Sequence, residues 1–186
     1  MTGKTHALAG GVAALGFILL VQNQGWLSLD LDPLLTSGRL QYLAIGLIGS
    51  VAALLPDLDN SESRLENWRI FGVKPLKPLA DLVNLLFSHR GFLHSLLAVM
   101  LLSLILLSLP SGIELHWRVA ILSGYLSHLI TDGLTPDGIE LFYPWGQQIR
   151  WLPRWLAIRT GSFIESLFYL LLIGGLIWLV DLAIIV

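Results

Sequence analysis

Histidines and carboxylates in this chain sit beside apolar runs, where a charge costs roughly 2.5 to 3.5 kcal/mol at the centre of an inserted helix, so each needs a reason. In SHLITD, His128 and Asp132 stand four apart. On a helix that spacing sets them about 40 degrees round from each other, so both can point at one ion. In LPDLDN, Pro56 breaks a helix and favours extended backbone, on which Asp57 and Asp59 project to the same side. In SHRGFLHS, His89 and His94 are five apart, about 140 degrees on a regular helix. If both face one centre, one of them belongs in a cap or loop, and Ser88 with Gly91 supplies such a start. Arg90, between the two, reads as a phosphate or transition-state clamp and equally as a cation holding the segment at the inner leaflet. Taken singly, each pattern has a plainer reading: a structural ion pair, hydrated carboxylates at a helix end, or a histidine such as His6 that only caps or snorkels.

Their convergence argues for more. Imidazole and carboxylate without any thiolate, in a chain that has no cysteine, suit Zn, Mn or Fe better than a dedicated Ca or Mg site. This many donors exceeds the need of one tetrahedral ion, so one or two ions fit, and a pair could activate water and hold a phosphoryl oxygen. No Gly-rich phosphate loop, GxSxG elbow or cysteine nucleophile offers a competing chemistry.

The elements that must carry these residues are apolar. Of 186 residues, 55% are hydrophobic and 13% charged, with a mean hydropathy of +0.74. That excludes an ordinary soluble globule, a disordered chain and a disulfide scaffold. A net charge of -2 leaves no cation surplus for nucleic acid. Apolar runs at residues 6–21, 40–55, 92–109, 119–131 and 163–186 predict five membrane-crossing helices in one domain over residues 1–186. The fourth carries Ser123, Tyr125, Ser127 and His128, which places it inside the bundle with partners on other helices. Gly10, Gly11 and Gly16 in the first suit close helix packing more than a cleaved leader.

With the N-terminus in the cytoplasm, nine Lys and Arg fall inside and only Arg39 and Arg118 outside, the bias expected of an inner-membrane protein. His6, Asp57, Asp59, His89, His94, His128, Asp132 and Glu165 then all lie at cytoplasmic helix ends, and His116 lies opposite. The inner loop 56–91 includes LKPLADLVNLLF at 76–87, which predicts a short interfacial helix. The second inner loop, 132–162, interleaves Trp145, Trp151 and Trp155 with Arg150, Arg154 and Arg159. That pattern suits an interfacial segment whose guanidinium groups reach phosphates, but a plain aromatic belt with no ligand role is the reading it favours.

At THALAGG (5–11), LLPDLDNSES (54–63), SHRGFLHSLL (88–97), GYLSHLITDGLTPDGIELFYPW (124–145) and RTGSFIES (159–166), the chain resembles the YdjM-like family of bacterial membrane-bound metal-dependent hydrolases. The resemblance covers nearly the whole chain. It implies that His6, Asp57, His89, His94, His128, Asp132 and Glu165 occupy metal positions. A looser similarity to zinc-dependent phospholipase C, whose ligands include a like His-x-x-x-Asp pair, points by analogy toward phosphoester cleavage.

The expectation is an all-α integral inner-membrane protein with Zn, or else Mn or Fe, at the cytoplasmic helix ends, hydrolysing a phosphoester in a lipid or lipid-linked substrate. Asp59 or Glu165 would take a proton from water and Arg90 would stabilise the phosphoryl charge. The rivals are a non-catalytic protein whose metal fastens helices together and a metal-ion transporter. The transporter requires polar residues along the depth of several helices, whereas the outer halves of the third and fifth runs carry little besides Asp181.

Overall fold

A computed structural model describes residues 1–26, 38–59, 91–110 and 113–185. Among these residues five α-helices and one 3₁₀ turn follow in order: α1 (Gly3–Asn23), α2 (Gly38–Ala52), the 3₁₀ turn (Pro56–Asp59), α3 (Leu96–Ser108), α4 (Leu115–Gly133) and α5 (Phe163–Ile185). Among the described residues there is no strand, only an isolated antiparallel bridge between Ile139 and Ile149.

Local chemistry sets the boundaries. Ser95 caps α3, its hydroxyl accepting from Ala98 N at 3.3 Å, and Pro110 forces Leu109 to extended backbone (ψ 149°), which stops the helix. This moves the start of the third element from residue 92 to Leu96 and its cap from the expected Ser88 to Ser95. Pro56 opens a 3₁₀ turn, not the extended segment expected there, because its fixed φ suits the first position of a helix. With about three residues per turn, the alternation that would point Asp57 and Asp59 to one side does not apply.

Among the described residues two helices, Gly3–Asn23 and Phe163–Ala183, are long and apolar enough to cross a membrane. With 15 and 13 residues, α2 and α3 rise only about 20 Å each, while α4 is longer than expected, at 19 residues. The outer surface is apolar. Leu47, Met100, Leu104, Leu107, Leu170, Leu171 and Ile177 are each 60–69% exposed, an arrangement that water does not favour and hydrocarbon does.

Glycines bring three helices together. The backbone of Gly49 in α2 lies against Gly10 of α1 on one side and Gly124 of α4 on the other, with no room for a Cβ at any of the three. Close packing at Gly10 and Gly11 is as expected, Gly49 and Gly124 add to it, and Gly16 makes only ordinary contact with Leu179. Beyond this junction, Ala14, Leu15, Ile18, Ile45 and Ala120 form a closed apolar core joined by Leu179 and Ala183 of α5.

Candidate metal centre

The same glycines position the ligands. His6 precedes Gly10 by one turn of α1; His128 follows Gly124 by one turn of α4, and Asp132 by two, on one face of the helix. Since α1 enters the bundle where α4 leaves it, close backbone approach at Gly10, Gly49 and Gly124 brings the imidazoles of His6 and His128 into a stack, centroids 3.9 Å apart and 20° from parallel. Asp57 arrives from the 3₁₀ turn after α2. His94 arrives from the turn before α3, which is held by the Tyr125 hydroxyl donating to Leu93 O and by Leu96 N donating to Leu141 O at 2.9 Å.

These side chains form two groups of potential metal ligands sharing His128: His6, His128 and Asp132, and Asp57, His94 and His128. His6 Nε2 lies 3.2 Å from Asp132 Oδ1, and His128 Nε2 lies 3.3 Å from Asp132 Oδ2. His94 Nε2 lies 3.2 Å from His128 Nε2 and 3.6 Å from Asp132 Oδ2. Asp57 Oδ1 stands 3.9 Å from both His94 and His128 Nε2. Such separations are what donors about 2.0 to 2.1 Å from a shared ion leave between one another.

The hydrogen bonds on the far side of the rings decide what these Nε2 atoms present. A carbonyl can only accept, so His128 donates its Nδ1–H to Ala53 O at 2.7 Å. His6 likewise donates Nδ1–H to Thr131 Oγ1 at 2.8 Å, because that hydroxyl spends its own proton on the carbonyls of Ser127 and His128, 2.9 Å from each. In their neutral forms both rings therefore aim an Nε2 lone pair at a carboxylate, acceptor against acceptor. Relief requires positive charge between them. Protonating both stacked rings would place two imidazolium ions face to face in a buried space, whereas one cation at the Nε2 edge satisfies both rings and Asp132 together. The Met1 amine, 3.1 Å from Asp132 Oδ1, already answers the same demand from one side.

Burial, and next to it the His128 imidazole, pushes His94 down to about 4, into the neutral form a metal requires. Its Nδ1 is buried with no hydrogen-bond partner among the described residues. The histidines are buried; the side chains of Asp132 and Asp57 are 19% and 25% exposed. Access to the centre is therefore from the carboxylate side.

Other expected site residues are placed differently. Both oxygens of Glu165 are engaged: Oε1 accepts from Thr2 N at 2.6 Å and Thr5 Oγ1 at 2.8 Å, and Oε2 from Gly161 N at 2.6 Å. Ser162 Oγ in turn accepts from Glu165 N at 3.2 Å. Glu165 thus caps α5 and ties it to the start of α1, and it joins neither group of potential ligands. His89, Arg90, the side chain of Asp59 and the interfacial helix expected at 76–87 lie outside the described residues. His116 lies at the opposite end as expected, 3.2 Å from Gln41 Nε2 and 3.1 Å from Glu114 Oε2. The sequence does not point to Thr131 or the Ala53 carbonyl, whereas Tyr125, expected to need a partner elsewhere in the bundle, finds it at Leu93 O. Thr131 stands three residues after His128, a spacing that puts a hydroxyl beside the same face of α4 and could have drawn notice.

Fold and site together define a helical bundle with an apolar exterior and a cluster of potential metal ligands buried at one end. The chain belongs to the family described as YdjM inner membrane protein, whose model matches residues 1–185. It is similar to the inner membrane protein YdjM of Escherichia coli (strain K12), 33% identical over 153 residues, covering 81% of this chain and 72% of that one. It is also similar to the uncharacterized protein YvsG of Bacillus subtilis (strain 168), 32% identical over 168 residues, covering 90% of this chain and 86% of that one. No solved structure matches. The similarity to zinc-dependent phospholipase C gains nothing from these matches.

Proposed function

We propose that this protein is a multi-pass membrane-bound, metal-dependent hydrolase that cleaves a phosphoester in a lipid or lipid-linked substrate at the cytoplasmic face of the inner membrane. The observation that carries the proposal is the meeting of three imidazole Nε2 atoms with Asp57 and Asp132, two of the rings holding their protons on the far side.

His6, Asp57, His94, His128 and Asp132 would hold one or two divalent ions, Zn foremost and Mn or Fe as alternatives, with His89 completing the set. When bound, such an ion supplies Lewis acidity and makes water acidic enough to attack near neutral pH. The protein's own groups do the rest. Asp59 takes the proton of the attacking water, Arg90 stabilises charge on the phosphoryl oxygens, and the buried histidines close the inner side against bulk water. The new bond joins water oxygen to phosphorus as the ester P–O bond breaks. Five crossings would let a lipid approach the exposed carboxylate side from the inner leaflet.

One observation favours a structural role instead: the cluster joins α1, the turn after α2, the turn before α3, and α4, as a clamp would. A transporter is disfavoured, because the apolar core of Ala14, Leu15, Ile18, Ile45 and Ala120 separates the cluster from the polar group around His116. The test is turnover by metal-loaded protein of lipid phosphates and phosphodiesters in detergent micelles, read as released phosphate or headgroup. Cleavage that stops on chelation is the expected result. If neither these nor other hydrolase substrates are turned over, the hydrolase reading gives way to the clamp.

A further inference from the structure

The segment after α4 is a built platform, not a slack connector. Its backbone is pinned to the end of α4 by Trp151 N donating to Gly133 O and Ile158 N donating to Leu134 O, both at 2.9 Å. The Trp151 ring lies directly on Gly133, where no Cβ would fit. Ile139 and Ile149 exchange both backbone hydrogen bonds, at 3.0 and 2.8 Å, closing a loop that holds Trp145 near its tip. Arg150 is spent internally, its Nε donating to Pro136 O at 2.7 Å.

What the platform displays is specific. Trp145 and Trp155 are 79% and 81% exposed, about as bare as such a ring becomes in a folded chain, and the Arg154 and Arg159 side chains of the same segment are exposed too. Residues 145–162 hold three arginines and no carboxylate. A large aromatic surface left bare on a braced loop, with uncompensated guanidinium groups beside it, matches a layer that is apolar just below and negatively charged at its surface.

We propose that residues 145–159 form a docking surface for the anionic phospholipid headgroups of the inner leaflet, Trp145 and Trp155 seating among the acyl–headgroup boundary and Arg154 and Arg159 pairing with phosphates. Trp151 is hydrogen-bonded to Gly133, the residue after Asp132, so the surface is fastened to the ligand-bearing end of α4. The proposal rests on the membrane placement above but not on the hydrolytic chemistry.

The test uses the full chain reconstituted in phosphatidylcholine vesicles that contain, at equal mole fraction, either dibrominated phosphatidylglycerol or dibrominated phosphatidylcholine, with tryptophan fluorescence as the readout. Brominated phosphatidylglycerol should quench at least about twofold more strongly. That excess should vanish in Arg154→Gln/Arg159→Gln and in Trp145→Phe/Trp155→Phe, and should largely survive in Arg154→Lys/Arg159→Lys, which keeps the charge. Equal quenching by the two lipids in the unmodified protein, or an excess that persists in the glutamine variant, overturns the docking surface. Absence of quenching by either lipid overturns the membrane placement and this proposal with it. Loss of phosphoester turnover alone touches neither.

Discussion

Replacing Thr131 by valine tests the logic of the centre without touching a ligand. Valine keeps the branched shape and removes only the hydroxyl that accepts from His6 Nδ1 at 2.8 Å. His6 is 1% exposed, so water cannot readily take over the bond, and a buried donor left unsatisfied costs about 1 to 3 kcal/mol. The ring can avoid this only by turning or by moving its proton to Nε2, and both withdraw the lone pair from the centre. Loss of a group that orients a ligating histidine typically lowers metal affinity roughly 10- to 100-fold, about 1.4 to 2.8 kcal/mol. The assay is competition of detergent-purified, metal-stripped protein against a chromophoric chelator. Thr131→Val should fall within that range and Thr131→Ser should stay within about threefold of the parent, because serine restores the acceptor. An unchanged affinity in the valine variant, or an equal fall in the serine one, would refute the reasoning.

A cysteine placed at Leu35 or Ser111 should be labelled from the periplasm and one at Lys74 or Gln148 should not; the reverse pattern would move the centre to the outer face. Arg90→Ala and Asp59→Asn should keep bound metal while phosphoester turnover drops by roughly 100-fold or more; metal lost along with turnover would make either residue a support of the centre. Gly49→Val should destabilise the protein by at least about 1 to 3 kcal/mol, read by thermal denaturation in detergent, since its side chain would meet Ala14 Cβ and the Gly10 carbonyl at once; unaltered stability would dissolve the close approach of α1 and α2.

How much of this could be read from the chain depends on whether the contact is local. His128 and Asp132 lie on one helix, so the helical repeat alone predicts that they share a face, and Nε2 and Oδ2 stand 3.3 Å apart. The arrival of His6 and His94 from distant segments depends on tertiary approach, which the sequence signals only through small residues; Gly10 sits in a run of glycines, whereas Gly49 and Gly124 carry no local mark of the contact they make with it or with each other. Pro56 shows one residue with two local outcomes, a break or a helix start, and the second prevails here. Glu165 carries a second local signal beside its reading as a ligand. Ser162 followed three residues later by a glutamate is a helix-start signature, and the carboxylate read as a ligand is occupied by backbone and hydroxyl donors. Thr131 is silent in the sequence because its importance lies in a hydrogen bond to a ring 125 residues away.

The central claim, that the His–Asp cluster holds metal, is tested most directly by elemental analysis of the purified full chain beside His128→Ala, the residue shared by both ligand groups. The account predicts one or two divalent transition-metal ions per chain in the parent and near-complete loss in the variant. A parent protein that carries none and takes up neither Zn, Mn nor Fe when incubated with them, or a variant that retains the parent's content, would contradict it.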